Sequence, residues 1–316
     1  MRILVLGAGG TGGYFGGRLA QSGADITFLV RAARAAQLRR DGLRLRSPLG
    51  DADMAVACVT VDTLAAAVAH APFDLVLLSC KAYDLDSAIA AIAPAVGERT
   101  AVLPILNGLR HYAALDARFG AARVIGGLCF ISAMKSDDGA VLHLSQPTAI
   151  TFGERSLDAD GARTQAFAAL CAQAGIDHLR TPDIAQAMWS KVSFLTTLAA
   201  GTCLMRASIG RIVASEGGAE MLAALHRECL AVADAAGYRV PQDAQHIARA
   251  RLTQAGSLLT ASMLRDLEAG QPVEAADIVG DMLHRAQAAG IAAPVLAMAW
   301  AHLQAYQSRR ADPATP

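Results

Sequence analysis

The chain predicts an α/β N-terminal half built on a parallel sheet, followed by an all-α C-terminal half. Three observations carry that expectation. Residues Met1 to Arg31 read strand, glycine turn, helix, strand; β-type and helical runs then alternate as far as Arg180; beyond Thr181-Pro182-Asp183 only helical patterns follow. A length of 316 residues is enough for two domains, here residues 1–182 and 183–316.

The apolar burst Ile3 to Leu6 is short and unalternated, as expected of a parallel strand buried on both faces. Gly7, Gly9 and Gly12 follow in G-x-G-x-x-G spacing. Gly7 allows a tight turn off the strand, Gly9 lets backbone approach a pyrophosphate, and Gly12 lets the next helix pack close to the sheet. That helix, from about Gly10 to Gln21 with Thr11 in its first turn, turns free N–H groups and a positive dipole end toward the phosphates. This is a Rossmann-type dinucleotide site in outline. The second strand, Asp25 to Val30, ends on Arg31, with Arg34 one turn further on. An acid at that strand end selects a ribose 2′-hydroxyl; two cations suit a 2′-phosphate, so NADP(H) is expected over NAD(H).

Ala32 to Arg40 is helical in type, and Gly42 to Arg46 alternates leucine with arginine like an exposed strand. Asp53 to Thr60 and Asp74 to Cys80 are β-type runs flanking the helical stretch Val61 to His70. Lys81 therefore closes a strand at the edge where open α/β sheets bind ligands, either as a cofactor contact or as a solvated loop lysine. A helix Leu85 to Ala95 and a strand Thr100 to Leu106 bring Asn107-Gly108 to the same edge, where Asn107 is either a turn device or a polar contact. VIGGLCFIS, AVLHLSQ and AITFGE then read as three strands joined by short turns, an antiparallel extension of the sheet. A helix Asp160 to Ala174 and a strand Ile176 to Arg180 close this half. The helical half reads as Asp183 to Met205 with Asp183 as N-cap, Glu216 to Ala236, Gln242 to Ala269, Pro272 to Ala289, and a last helix opened by Pro294 that gives way to a frayed polar tail, Ser308 to Pro316.

Composition excludes several function classes. Hydrophobic residues make up 53% and charged ones 18%, and the formal net charge is zero, so nothing points to nucleic acid or an anionic membrane surface. Cys58, Cys80, Cys129, Cys171, Cys203 and Cys229 are scattered singly, and read as buried reduced thiols in a cytoplasmic protein with no metal site. Met1 runs straight into the first strand, so no signal peptide is expected, and the most apolar stretch, Val192 to Met205, is too short to span a bilayer. An apolar helix face in the C-terminal half fits a homodimer.

A dinucleotide half without flavin or metal signatures points to hydride transfer, and carbonyl reduction needs a proton donor. The cleft between the halves is the default place for it. Lys191 lies inside an apolar helix, between Met188 and Val192, and either snorkels to solvent or enters a polar cleft. Glu274 stands in the first turn of the fourth helix, where the dipole favours a carboxylate, and Ser262 lies within the third.

With GAGGTGG at the N-terminus, Arg31 after the second strand, CKAYD at Lys81, LNG at Asn107, WSKV at Lys191, ASMLRDL at Ser262 and VEAADIVG at Glu274, the chain resembles the ketopantoate reductase family over essentially its whole length. The resemblance implies NADPH-dependent reduction of a small-molecule 2-oxo acid to the (R)-2-hydroxy acid, for ketopantoate a step of pantothenate biosynthesis. It implies Lys191 as general acid, Glu274 as the acid that binds substrate and orients the site, Ser262 beside the substrate carboxylate, and Asn107 beside nicotinamide and substrate. Gly7, Gly9, Gly10, Thr11, Gly12, Arg31 and Lys81 match cofactor contacts. Three positions depart from the family pattern: Leu195, Ala199 and Val279 stand where asparagine is common. Ketopantoate remains the first substrate the resemblance implies; the lost amides would accommodate a bulkier or less polar 2-oxo acid as the alternative, because a site built to bond a hydroxyl discriminates by that bond. Thr196 and Thr197 are the neighbouring hydroxyls able to compensate. A dinucleotide-binding protein without catalysis is the reading from another class, and Lys191 and Glu274 argue against it.

Overall fold

The opening burst is β1 (Arg2–Leu6), the central member of five parallel strands, and Ile3, Leu4 and Val5 are fully buried between the layers on either side. The computed structural model describes residues 1–156 and 161–311, apart from the side chains of residues 145–147. The expected helix start at Asp160 and the end of the polar tail, residues 312–316, lie outside the described residues. The chain forms two units, Met1–Leu106 with His111–Ile184, and Asn107–Arg110 with Ala185–Pro316.

In the first unit, β1 is followed by α1 (Gly10–Gln21), β2 (Asp25–Leu29), α2 (Ala32–Asp41), β3 (Leu43–Arg46), β4 (Ala52–Met54), β5 (Ala57–Val59), α3 (Val61–His70), β6 (Leu75–Leu78), α4 (Leu85–Ile92) and β7 (Ala101–Pro104). Next come α5 (His111–Phe119), β8 (Gly126–Lys135), β9 (Val141–Gly153), α6 (Ala162–Gln173) and β10 (Asp177–Arg180). The parallel sheet runs β5-β2-β1-β6-β7, so the chain leaves β1 in one direction and returns on its other side at β6. That reversal is the switch point at which open α/β sheets bind ligands, and the glycine turn sits on it.

The expected antiparallel extension is instead a second five-stranded sheet. β9 carries β8 antiparallel along one edge and both β10 and β3 along the other, with β4 outside β3. Among the described residues one isolated bridge, Val102 to Val124, joins β7 of the parallel sheet to the segment leading into β8. AVLHLSQ and AITFGE are one strand, β9, because β8 pairs with both halves, with irregularities in register around Ser132, and β10 adds a second partner from Ala149 to Phe152. Asp53 to Thr60 breaks into β4 and β5, which join different sheets. The strand expected to be exposed, β3, has Leu43 and Leu45 wholly buried, since they pack onto α1. Helix α5 escapes the sequence pattern because its apolar stripe is short.

Helix α1 lies against both sheets, and its glycines make the room. A Cβ at Gly16 would stand 2.8 Å from the Phe28 ring and 3.1 Å from Val5 on the parallel sheet. On other sides of the helix, a Cβ at Gly10 would meet the Ala133 carbonyl oxygen at 2.5 Å, at Gly13 Val141 at 2.7 Å, and at Gly17 Leu43 at 2.9 Å, all from the second sheet.

The described residues of the second unit form helices and no strand: α7 (Ile184–Met205), α8 (Ile209–Val213), α9 (Gly218–Ala235), α10 (Gln242–Leu252), α11 (Ser262–Glu268), α12 (Asp281–Ala288) and α13 (Pro294–Ala311). Its core gathers Leu222, Leu225, Val232, Leu264, Met282, Leu296 and Leu303 among others. Where one helix was expected over Gln242 to Ala269 there are two. The connecting backbone is taken up by the short, unexpected α8, whose Ile209 and Gly210 N–H groups donate to the carbonyls of Leu259 and Ser257 at 3.0 and 2.8 Å. Helix α9 starts two residues later than expected, with Gly218 seated on the Ile212 carbonyl. Helix α13 continues through Ala311, so Ser308 to Ala311 are helical rather than frayed. Glu228 on α9 accepts the Val295 and Leu296 N–H groups at 3.1 and 2.8 Å, capping α13 from a neighbouring helix. No helix among the described residues is long and apolar enough to cross a membrane.

Burial pushes the thiols of Cys171, Cys203 and Cys229 up to about 12, so they stay protonated. Cys58 and Cys80, expected to be buried, are half-buried instead, because Cys58 lies on the edge strand β5 and Cys80 just beyond the end of β6.

Gly16→Val is expected to lower the unfolding free energy by about 1–3 kcal/mol, the usual cost of overfilling a packed site, because Phe28 is fully enclosed. Urea denaturation followed by circular dichroism measures it.

Candidate active site

In the first unit the glycine turn has the shape of an anion cradle. Gly7 holds φ +87°, a left-handed conformation in which its N–H donates to the Leu29 carbonyl at 2.9 Å. Gly9 precedes α1 with extended backbone and no side-chain cap, and Gly10 and Thr11 begin a helix with no acid in its first turn. A Cβ at Gly7 or Gly9 would meet nothing within 4 Å, so the space before the helix N-terminus is open. Gly12 does the opposite: a Cβ there would strike the Ser79 hydroxyl and come within 2.7 Å of the Gly7 carbonyl oxygen.

Arg31 stands at the end of β2 as the residue before α2, its side chain 88% exposed and 3.9 Å from Asp84. Arg34, expected to act beside it, is committed elsewhere. Its guanidinium donates to the carbonyls of Ala8 and Gly139 at 2.9 and 2.8 Å and to Gln37 at 2.7 Å, and burial, then Arg44, pulls its pKa down. Lys81 is half-buried beyond β6, preceding a 3-10 turn over Ala82–Asp84.

In the second unit Lys191 and Asn107 meet. Lys191 lies two turns into α7 and is 8% exposed; rather than snorkelling to solvent, its Nζ donates to Asn107 Oδ1 at 3.2 Å. Buried lysines are rare unless paired, so this bond accounts for part of its placement. Asn107 opens a four-residue loop that packs with the helices rather than with β7. Gly108 holds φ +82° with its Cα against the Asp277 carbonyl, leaving no space for a side chain. Leu109 packs on the helical core, and Arg110 Nη1 lies 3.6 Å from Asp277 Oδ1.

Glu274 is 4% exposed, but it precedes the fourth helix instead of lying in its first turn. Its carbonyl accepts the Ile278 N–H at 3.1 Å, and the next residues, Ala276–Gly280, form a π-helical turn before α12. Such turns often mark functional sites, because the extra residue re-aims the side chains around it. Ser262 begins α11 rather than lying inside a helix; it is half-buried and its hydroxyl makes no hydrogen bond among the described residues. Ser262 is thus not hydrogen-bonded to Lys191 or Asn107. Sequence reasoning missed Arg110 and Asp277, because no local spacing joins two residues so far apart in the chain. Burial raises the Asp277 pKa, which Arg110 partly offsets and Asp281 reinforces.

Ala199 and Val279 are fully buried in the apolar core, and Leu195 alone of the three departing positions keeps exposed surface. Thr197 spends its hydroxyl on the Ser193 carbonyl at 2.8 Å, whereas Thr196 Oγ1 is buried with no partner among the described residues. No group of three or more His, Cys, Asp or Glu among the described residues is arranged to hold a metal ion.

Residues 3–156 match the family model of ketopantoate reductase PanE/ApbA, and residues 183–307 match its C-terminal counterpart. A 2-dehydropantoate 2-reductase of Halobacterium salinarum is 30% identical over 94% of this chain and 95% of its own length. The chain belongs to the ketopantoate reductase family. An uncharacterized oxidoreductase of Bacillus subtilis, YkpB, is 34% identical over 98% of this chain and all of its own length. Among solved structures, a 2-dehydropantoate 2-reductase of Geobacter metallireducens shares the fold with a TM-score of 0.86 and 30% identity, over 96% of this chain and 99% of that one. As a ketopantoate reductase family member the chain is an oxidoreductase with a Rossmann-type N-terminal sheet and a helical C-terminal region.

Gly108→Ala is expected to cost at least about 1–2 kcal/mol for the left-handed backbone alone, before the overlap with the Asp277 carbonyl is counted. A fall in unfolding free energy larger than that of a solvent-facing glycine change at Gly23 measures the overlap.

Proposed function

We propose that this chain reduces a 2-oxo acid to the 2-hydroxy acid with NADPH as donor, with 2-dehydropantoate the first candidate substrate. The observation that carries the reading is the buried Lys191 ammonium held on Asn107 Oδ1. A lysine so held has its donor direction fixed, and its charge is worth more in a poorly hydrated site than in water. Lys191 Nζ gives a proton to the substrate's carbonyl oxygen as that oxygen gains charge, and is reprotonated from solvent afterwards. Asn107 keeps Nζ in line through the amide oxygen. Glu274 and Ser262 are the polar groups proposed to receive the substrate.

The residues of the first unit fit a dinucleotide. The open space at Gly7 and Gly9, before a helix N-terminus with no acid in its first turn, suits a pyrophosphate, and the exposed Arg31 guanidinium suits a 2′-phosphate. When bound, NADPH supplies the hydride. Lys81 is proposed to hold the same cofactor from the end of β6.

A second reading of the substrate is favoured by one observation. Of three positions commonly asparagine in the family, two are closed aliphatic core and the third, Leu195, offers an apolar surface. A branched or aromatic 2-oxo acid fits that surface better than one needing its hydroxyl bonded.

Lys191→Ala is expected to lower kcat with the best 2-oxo acid by about 10²-fold or more, the usual worth of a positioned general acid, with the NADPH dissociation constant unchanged. Steady-state rates for 2-dehydropantoate against branched and aromatic 2-oxo acids, run beside that variant, decide between the two substrate readings; full activity in the variant would sink the mechanism.

Arg31→Asp is expected to weaken NADPH at least about tenfold more than NADH, as the ribose rule requires. Equal losses in fluorescence titrations with the two dinucleotides would show that Arg31 does not read the 2′-phosphate.

A further inference from the structure

We infer that Arg110 and Asp277 form a clamp that positions Asn107, and through it Lys191, for proton transfer. The inference rests on the proposed role of Lys191, and its parts lie within the helical unit. The loop Asn107–Arg110 touches the π-helical turn at two points, both belonging to Asp277. The backbone of Gly108 lies on the Asp277 carbonyl, and the Arg110 guanidinium reaches the Asp277 carboxylate at 3.6 Å. Leu109, between them, is packed on the helical core. Three consecutive residues are therefore held, and the residue before them, Asn107, bonds Lys191 Nζ at 3.2 Å.

Asp277 is fitted to this task by its surroundings. It stands three residues after Glu274 in the π-helical turn, so the same backbone that carries Glu274 also anchors the Asn107 loop. Its nearest acidic neighbour, Asp281, is already occupied by Arg285 at 2.8 Å, which leaves Arg110 as the cation that opposes the burial of Asp277. Asp277 is largely sheltered while Arg110 is half open to solvent, with side-chain exposures of 22% and 52%. The loop is thus pinned from its solvent side by the charge and from its inner side by the glycine. Neither Arg110 nor Asp277 touches the reacting atoms; both are positioning residues.

The test is a double-mutant cycle on the full chain with NADPH and the best 2-oxo acid. Arg110→Ala and Asp277→Ala are each expected to lower kcat about 10- to 100-fold, the scale of a misplaced catalytic group, with KM and the NADPH dissociation constant changed less than twofold. The double variant is expected to be no slower than the worse single one, because both remove the same clamp. Arg110→Lys, which keeps the charge, is expected to recover most of the rate and guards against a simple loss of folding. Additive losses, or Arg110→Lys as slow as Arg110→Ala, would overturn the clamp. Lys191→Ala in the same assay separates the two levels: if it is inactive while Arg110→Ala is normal, the clamp alone fails, and if it is fully active, the proton-donor role fails.

Discussion

Helix α1 can lie close to two sheets because glycines stand where its backbone comes nearest to them, beside the buried Phe15 and Leu19. Gly12 and Gly16, one turn apart, face the parallel sheet, while Gly10, Gly13 and Gly17 meet the carbonyl of Ala133, Val141 and the leucines of β3. Each glycine inside a helix costs roughly 0.5–1 kcal/mol relative to alanine, so a run of them needs a return. The return is contact on both sides of one helix, which ties the two sheets together beside the isolated Val102–Val124 bridge. It also fixes the helix N-terminus, and with it the direction of the free N–H groups above Gly7 and Gly9. The dinucleotide cradle is therefore a consequence of packing further down the same helix.

The helical unit meets a different constraint, that of keeping charge inside an apolar core. Lys191 and Glu274 are both more than nine-tenths buried, in a unit whose core is mainly aliphatic. Long charged side chains are almost never so enclosed without partners, and the unit obtains one by drawing in four residues from a distant part of the sequence. Asn107 supplies an acceptor that brings no charge, which suits the proton-donor role proposed for Lys191. A carboxylate in that place would bind Nζ more tightly and make the proton harder to give up.

Much of the fold was legible because it follows from local patterns. The buried bursts of β1 and β6, the glycine turn, and the closures by Gly237 and Pro294 are each short-range signals, and each element lies where its signal put it. Three of the failures share one cause, competition from distant partners. AVLHLSQ and AITFGE look like two strands until β8 pairs with both, and Gln242 to Ala269 looks like one helix until α8 takes the carbonyls of Ser257 and Leu259. Arg34 looks like a phosphate ligand until Ala8 and Gly139 claim its donors. At the site, residue types were readable and their attachments were not: Lys191 and Asn107 were each noticeable, but the turn that holds Asn107 in place is made by Asp277, whose motif drew notice only for its glutamate.

On the proposed function, the three positions that lack asparagine are ones where the substrate side of the site changes without touching the Lys191–Asn107 pair. Asparagine at residue 199 or 279 would need partners for an amide inside an apolar cluster, and an unmet polar group there costs about 1–3 kcal/mol. Ala199 and Val279 remove that demand and let the cluster close, and both are fully buried as a result. Leu195, one turn beyond Lys191 on the same face of α7, is then the position left open to meet a ligand. The donor pair is insulated from this change, because Asn107 is held from the opposite direction in sequence, by a loop and a π-helical turn that include none of the three positions except Val279, whose side chain faces the core. If Lys191 is the proton donor as proposed, substrate choice and proton donation rest on separable sets of contacts, and the chemistry can be kept while the surface at Leu195 is aliphatic.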